Sequence, residues 1–212
     1  MENDRKVIYI CCVIASTMTK AEKTKQFIIE KSAPIFNTKG IEATAMSDIM
    51  EATNLSKGSL YVHFADKEAL SHAAVDYNLN SLVNKVAAAV GIHNTAKEKL
   101  KAAYNFLSDP RNPPLPGGCP MLNFGLEADD TNPPVLKKVA NTIKKLQQNT
   151  IAIIEKGKAT GEFKKDWDAG IFATKAFALV EGGIMLTRVT GKSDQLKTIL
   201  TIINDEIEAM SR

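Results

Sequence analysis

The chain has 212 residues, of which 44% are hydrophobic, so it is long and apolar enough for one large domain or two small ones. Its 27 lysines and arginines against 24 aspartates and glutamates leave a net charge of only +3, and any DNA-binding surface must therefore be local. Cys11, Cys12 and Cys119 have no spacing suited to disulfides or a zinc site, which excludes a disulfide scaffold and fits a reducing compartment.

The first 17 residues differ from the rest of the chain. Residues 7–15 form a continuous apolar run that is too short to cross a bilayer. Glu2 and Asp4 are atypical of the basic start of a signal peptide, and the segment that begins at Met18 reads like the start of a soluble protein. We therefore expect residues 1–17 to be a non-native or disordered extension.

From Ala21 onward, apolar residues recur at spacings of three and four, which predicts an all-helical protein of about nine helices. Residues 109–118 hold four prolines and two glycines and predict a loop. The predicted helices cover residues 21–39, two short segments between 44 and 64, then 67–90, 96–108, 120–128, 135–160, 168–190, and a last helix that contains residues 196–210.

The stretch from Thr44 to Phe64 predicts two short helices joined by a tight turn. Thr44 and Ser56 are typical N-caps for the first and the second helix. Asn54 lies between the helices, where a left-handed backbone is often required. In the second helix, Leu60 and Phe64 are four residues apart and are expected to face the core. This is the pattern of a helix-turn-helix, whose second helix enters the major groove of DNA.

The same stretch strongly resembles the TetR family of repressors. The resemblance covers residues 25–70 and departs from the family's pattern at Ala45 and at Thr53-Asn54. The matching residues, in the family's order and spacing, are Phe36, Lys39-Gly40, Thr44, Asp48-Ile49, Ala52, Leu55-Ser56-Lys57-Gly58, Leu60-Tyr61, His63-Phe64 and Lys67-Glu68-Ala69-Leu70.

The resemblance implies a fold and a division of the chain. We expect an all-α protein in which a three-helix DNA-binding domain, residues 18–66, is joined to a larger helical domain for ligand binding and dimerisation, residues 67–212.

The resemblance also implies which residues contact DNA. The residues near base edges would be Lys57, Ser59 and Val62. The phosphate backbone would be held by Thr44, Tyr61, His63 and Lys67, and we add Ser56 to the DNA-binding set. Phosphate contacts position such a module, and base contacts specify the sequence that it reads. Taken singly, each of these residues would be an ordinary solvated side chain.

The last two predicted helices carry more apolar surface than one chain can easily cover. We therefore expect a homodimer in which two helices from each chain form a four-helix bundle. The alternative is that both helices complete a monomeric core. The residues assigned to the dimer interface are Phe177, Ile184, Leu196, Ile199, Leu200, Ile203 and Ile207.

A small-molecule pocket in the larger domain is implied by the resemblance, together with a ligand-driven change in the separation of the two DNA-reading heads. The candidate wall residues suggest an apolar or aromatic effector, although each of them also suits ordinary core packing. They are Tyr77, Tyr104, Phe106, Cys119, Met121, Phe124, Ile143 and Phe177.

Cys119 directly precedes the predicted helix that starts at Pro120. A cysteine at this position is expected to cap the helix, whose N-terminus would lower the pKa of the thiol. Some TetR-family relatives sense electrophiles or oxidants through a similar Gly-Cys. The favoured alternative is a small capping residue without reactivity, because no basic partner is evident nearby in the sequence.

No enzyme constellation is present in the sequence. His63, His72 and His93 lack a metal-ligand pattern, and there is neither a phosphate-binding glycine loop nor a nucleophile elbow. We therefore predict no catalytic activity, no cofactor and no bound metal.

The resemblance to the TetR family, together with these patterns, implies a cytoplasmic, nucleoid-associated homodimer that represses transcription. Its partners would be a palindromic DNA operator, a second copy of itself and a small-molecule effector, with no membrane. The alternative is an architectural or cell-division DNA-binding protein of the same fold, regulated by a protein partner. A well-packed larger domain without a cavity would favour that alternative.

Overall fold

The computed structural model describes residues 18–106 and 114–212. Within these ranges the chain forms nine α-helices and no strand beyond an isolated bridge between Phe163 and Ser211. The helices are α1 (Lys20–Lys39), α2 (Met46–Thr53), α3 (Lys57–His63), α4 (Lys67–Gly91), α5 (Ala96–Asn105), α6 (Pro120–Ala128), α7 (Pro133–Thr160), α8 (Ala169–Thr190) and α9 (Asp194–Met210).

The predicted all-α fold is confirmed, and the helix bounds follow from local caps. Asp66 accepts a hydrogen bond from the Ala69 amide at 2.7 Å and starts α4. Gly161 ends α7 in the left-handed conformation, as the sequence predicts. The extension 1–17, the end of the predicted helix 96–108 and the first half of the predicted loop, residues 109–113, lie outside the described residues.

One predicted cap is wrong. The N-cap of α2 is Ala45, and Thr44 is 1% exposed, with its hydroxyl donated to the Gly40 carbonyl at 2.5 Å. The Ala45 amide is held from the other side, because it donates to the Asp48 carboxylate at 3.0 Å. Thr44 therefore fixes the turn before α2 and does not cap the helix.

Helices α1 to α3 enclose a small core and share it with the rest of the chain. Ile28, Ile49 and Leu60 are fully buried at its centre. Helix α4 packs along α1, where Asn78 donates its side-chain amide to the Ala33 carbonyl at 2.8 Å. The same buried cluster continues into α6 and α7. The three-helix module of α1 to α3 is therefore packed directly on the rest of the chain through α4 and α6.

A second core lies among α5, α7, α8 and α9. Its centre is a stack of edge-to-face rings, in which Trp167 lies 5.0 Å from Phe163 and 4.8 Å from Phe172 between ring centroids. Helix α9 covers this core with its apolar stripe, which is buried within the chain. The stripe consists of Leu196, Leu200, Ile203 and Ile207.

The burial of this stripe corrects the expected dimer residues. Leu196, Leu200, Ile203 and Ile207 are not available to a second chain, because α8 and the second core already cover them. Of the remaining three, Ile199 is half-buried at the edge of that core, whereas Phe177 and Ile184 line an internal cavity.

The outer side of α8 and α9 is the apolar surface that stays uncovered. It is formed by the exposed side chains of Ile171, Met185, Leu186, Val189 and Ile202. Helix α8 also has the length and composition of a membrane-crossing helix, and 33% of its most apolar 18-residue window is buried. Core and interface helices of globular proteins have the same composition, so this feature alone does not indicate a membrane.

Candidate nucleic-acid interface and buried cavity

Helix α3 presents its polar side outward because its apolar side is anchored. Leu60 is fully buried, whereas Val62 is 80% exposed and Tyr61 is 40% exposed. Ser56 caps the helix as predicted, by accepting a hydrogen bond from the Ser59 amide at 3.2 Å. The helix thus exposes a short surface of polar and apolar side chains, and the burial of Leu60 holds the helix in place.

The turn before α3 has the predicted geometry. Asn54 is the only non-glycine residue with a positive φ in the part of the chain that the structure describes, at φ 54° and ψ 29°. Lys57 lies with its ammonium 5.9 Å from the centroid of the Tyr61 ring. These two side chains therefore share one edge of the exposed surface.

The eight predicted DNA contacts differ in exposure. Thr44 is the exception among them, because its buried hydroxyl is already bonded to Gly40. Lys67 reaches across to the Glu42 carbonyl with its Nζ atom at 3.0 Å. The exposed residues are Ser56, Lys57, Tyr61 and Val62, and the half-buried ones are Ser59, His63 and Lys67.

The larger domain forms a partly open cavity of about 320 Å³ that is lined by residues of α4 to α9 and of the loop before α6. Four of the eight predicted pocket residues line it, namely Tyr104, Cys119, Met121 and Phe177. The other four do not line it and pack in or against the first core, namely Tyr77, Phe106, Phe124 and Ile143.

Glu181 is an acidic residue of the cavity wall that was not predicted from the sequence. Glu181 of α8 accepts a hydrogen bond from the Cys119 thiol, with Sγ 3.1 Å from Oε1. Its second oxygen, Oε2, is shielded from solvent and has no partner among the described residues. Burial raises the pKa of Glu181, and the hydrogen bond from Cys119 opposes this shift only in part.

The predicted low pKa of Cys119 is wrong. Burial raises the pKa of the thiol well above its ordinary value, and the negative charge of Glu181 adds to the shift. The backbone amides of Leu122 and Met121 at the start of α6 lower the pKa of the thiol, but burial and Glu181 outweigh them. On the opposite wall, burial raises the pKa of Tyr104 to about 12, and its hydroxyl lies 3.2 Å from the Thr150 hydroxyl.

The cavity wall is bonded directly to α1. Asn37 of α1 donates its side-chain amide to the Pro116 carbonyl at 2.6 Å and to the Gly118 carbonyl at 3.1 Å. Asn123 of α6 donates back to the Asn37 carbonyl at 2.9 Å. Gly117 has a φ of +88°, and a Cβ there would lie 2.6 Å from the Asn37 carbonyl oxygen, so only glycine permits this approach.

A second link joins α6 to the turn before α2. The Glu127 carboxylate accepts hydrogen bonds from the amides of Ile41 and Glu42, each at 2.9 Å. Both links start at α6 or the loop before it and end on the module that carries α3. A displacement of α6 therefore acts on that module at two separate points.

Comparison with protein families matches both parts of this architecture. Residues 28–74 match the model for bacterial regulatory proteins of the tetR family. Residues 96–203, about half of the chain, match the model for the C-terminal domain of tetracyclin repressor-like proteins. The chain belongs to the TetR family. It is therefore a DNA-binding transcriptional regulator, and its family does not consist of enzymes.

Solved TetR-family structures share nearly the whole fold. A regulator from Cytophaga hutchinsonii is 39% identical, with a TM-score of 0.87 over 92% of this chain and 98% of that one. A regulator from Chloroflexus aurantiacus J-10-FL is 34% identical, with a TM-score of 0.86 over 92% and 99% of the two chains. The transcriptional repressor DhaR of Mycobacterium sp. (strain GP1) is 24% identical over 84% of this chain and 89% of its own length.

Four residues of this TetR-family chain matter for the site and were missed at the sequence level. Asn37, Asn123 and Glu127 act through contacts with residues that are 79 to 86 positions away in the chain. Glu181 carried one usable signal, because it is one of only three charged side chains in α8. A lone acid in an apolar helix indicates either a partner or a site.

Proposed function

We propose that this TetR-family protein is a homodimeric repressor that binds a palindromic operator in the bacterial cytosol and is released by a small molecule. The observation that carries the proposal is the exposed surface of α3, where Lys57, Tyr61 and Val62 stand outward on a helix anchored by Leu60. DNA binding is assigned to residues 18–66, and effector binding and dimerisation to residues 67–212.

The DNA contacts are proposed to centre on α3. Lys57, Ser59 and Val62 are assigned to base edges, and Tyr61, His63 and Lys67 to phosphates. The exposed methyl groups of Val62 suit a thymine methyl group in the major groove. Ser56 keeps its capping role and lies at the edge of this surface. Thr44 keeps only its backbone for such a contact, because its hydroxyl is bonded within the protein.

The dimer is proposed to form through the outer side of α8 and α9. This surface replaces the buried stripe of α9 as the candidate interface. Its exposed apolar residues are Ile171, Met185, Leu186, Val189 and Ile202. Apolar side chains of this size, grouped on two adjacent helices, are typical of a subunit interface. A twofold pairing there would set two copies of α3 on successive half-sites of a palindrome.

The release mechanism is proposed to run through α6. A ligand in the cavity contacts the residues at the start of α6, and α6 is bonded to α1 through Asn123 and to the turn before α2 through Glu127. An effector that favours a displaced α6 would therefore shift the population towards dimers whose α3 helices do not fit the operator.

The cavity favours a small-molecule effector over the architectural alternative. A protein partner requires no internal space, and a filled core would suit that role. Here a cavity of about 320 Å³ lies between six helices, and its wall residue Glu181 has a carboxylate oxygen without a partner among the described residues. Such a space is typical of a ligand site.

The test begins with genome-wide mapping of bound DNA, followed by affinity measurements on the recovered site over a series of salt concentrations. We expect a palindrome. Lys57→Ala should weaken binding by about 1–3 kcal/mol and relax the sequence preference at the base pair that it contacts, whereas Lys67→Ala should reduce the salt slope by about 1 per protomer. Lys145→Ala on α7 is the matched control, since Lys145 is an exposed lysine outside the module. Recovery of scattered sites without a shared palindrome would contradict the operator proposal.

A further inference from the structure

The cavity combines an apolar body with one negatively chargeable group. Most of its wall is aliphatic or aromatic, and it includes Leu82, Val83, Val86, Met121, Phe177 and Ile184. Among the described residues, Glu181 is the only acidic one in the lining. A ligand that fills this space must therefore bury apolar surface and also meet one carboxyl group.

The carboxyl group of Glu181 has a hydrogen-bond partner at only one of its two oxygens among the described residues. Oε1 receives the Cys119 thiol, a weak donor, whereas Oε2 receives no hydrogen bond from any described residue. A buried carboxylate without full partners is costly, and this cost is removed either by a proton or by a cation beside it. The carboxylate of Glu181 thus lacks a hydrogen-bond donor. A positively charged donor would best compensate its negative charge.

We propose that the effector carries a protonated amine on an apolar, ring-sized body, and that the amine pairs with the carboxylate of Glu181 in the cavity wall. The proposal rests on the proposed function, because it identifies the chemical class of the effector. The amine provides the missing donor and neutralises the carboxylate, while the apolar wall holds the body of the ligand.

The other ionisable groups of the wall do not compete for this role. Tyr104 bonds to Thr150, and Cys119 bonds to Glu181 itself. Arg188 is an exposed residue whose guanidinium lies against Gly118, at the rim of the cavity. Arg188 and Glu181 form no ion pair with each other, although both belong to the described part of α8. The Arg188 charge is therefore solvated, and the buried charge is that of Glu181.

The test compares three probes that share one body and differ in charge. They are 1-naphthylmethylamine, 1-naphthalenemethanol and the anion of 1-naphthaleneacetic acid. Each is titrated by calorimetry into the full chain without DNA. We expect the amine to bind about tenfold more tightly than the alcohol. A hydrogen bond to a charged group contributes more free energy than a neutral one, and the difference corresponds to about a tenfold change in affinity. The acetate should bind most weakly. Equal affinities for amine and alcohol, or a preference for the acetate, would overturn the proposal.

Two variants locate the preference. Glu181→Gln keeps the shape of the side chain and should abolish the preference for the amine over the alcohol, whereas Glu155→Gln, an exposed acid on α7, should preserve it. The comparison of probes on the unmodified protein needs no variant and stays decisive even if Glu181→Gln misfolds. Retention of the preference in folded Glu181→Gln would refute the assignment.

Operator binding is measured in parallel on the unmodified protein. If DNA binding is absent, the proposed repressor function fails, whatever the probes do. If DNA binding is present and the amine binds without preference, only the present inference fails. Release of the operator by the amine, at concentrations where the alcohol is inactive, is the outcome that both proposals expect.

Discussion

Glu181 makes the unliganded protein sensitive to pH through a single side chain. Its pKa is raised by burial in the folded state, whereas an unfolded chain holds a glutamate near its ordinary value. In the folded state, Glu181 therefore keeps its proton to a higher pH than in the unfolded state. The contribution of Glu181 to the free energy of unfolding is full below the pKa of the unfolded state, and it is lost as the pH rises through the pKa of the folded state.

Glutamine at this position does not titrate. We therefore expect Glu181→Gln to gain stability relative to the unmodified protein as the pH rises from about 4.5 towards 7.5, with little difference at the acidic end. Urea unfolding at several pH values measures the difference. The control is Glu155→Gln, which removes an exposed carboxyl group on α7 outside the cavity. A difference for Glu181→Gln that stays constant with pH would contradict the raised pKa.

Cys119 belongs to the same pair and should be a poor nucleophile. The thiolate is the reactive form, and both burial and the charge of Glu181 disfavour it. We expect iodoacetamide to label Cys119 much more slowly in the native protein at pH 7.5 than in the urea-unfolded chain, as read by mass spectrometry of its peptide. Labelling at equal rates would mean that the thiol is exposed or activated, and would revive its role as a sensor.

At the scale of the element, α6 is the part whose contacts reach both the cavity and the DNA-binding module. Glu127 holds the turn before α2 through two amides. We expect Glu127→Ala to increase the hydrogen-exchange rate of the Ile41 and Glu42 amides, because both lose their charged acceptor. The protein should keep its global stability within about 1 kcal/mol, since these bonds lie near the surface.

The control for this measurement is Thr131→Ala at the end of α6. Thr131 is exposed and bonds only within its own segment, to the Glu127 carbonyl at 2.9 Å. Exchange at Ile41 and Glu42 should be unchanged in that variant. If Glu127→Ala also leaves the two amides protected, the link from α6 to the turn before α2 is not what orders this segment.

Local patterns predicted the elements well, because caps and apolar spacing act over a few residues. Ser56, Asp66 and Gly161 each mark the helix boundary that the structure has. Helix α9 was harder, because an apolar stripe indicates which side is buried and not whether the same chain or a partner buries it. The pKa of Cys119 was beyond the sequence for a similar reason, since Glu181 lies 62 positions away.

At the scale of the whole molecule, the burial of the α9 stripe identifies which surface remains for a partner. Val189 on the outer side of α8 is 81% exposed, so a substitution of its side chain should not affect the folding of the single chain. We expect Val189→Asp to convert the dimer to a monomer, because two copies of a charge would be buried near the twofold axis without partners. Sedimentation equilibrium at micromolar concentration measures the conversion.

Ile92→Asp is the matched control for this variant. Ile92 is 79% exposed at the end of α4 and lies outside the proposed interface, so the same substitution should change neither mass nor stability. Operator affinity should fall in Val189→Asp and not in Ile92→Asp, because a monomer binds one half-site and loses the second. If Val189→Asp remains a dimer, the outer side of α8 and α9 is not the interface. If the unmodified protein is itself a monomer under these conditions, the proposed dimer is wrong.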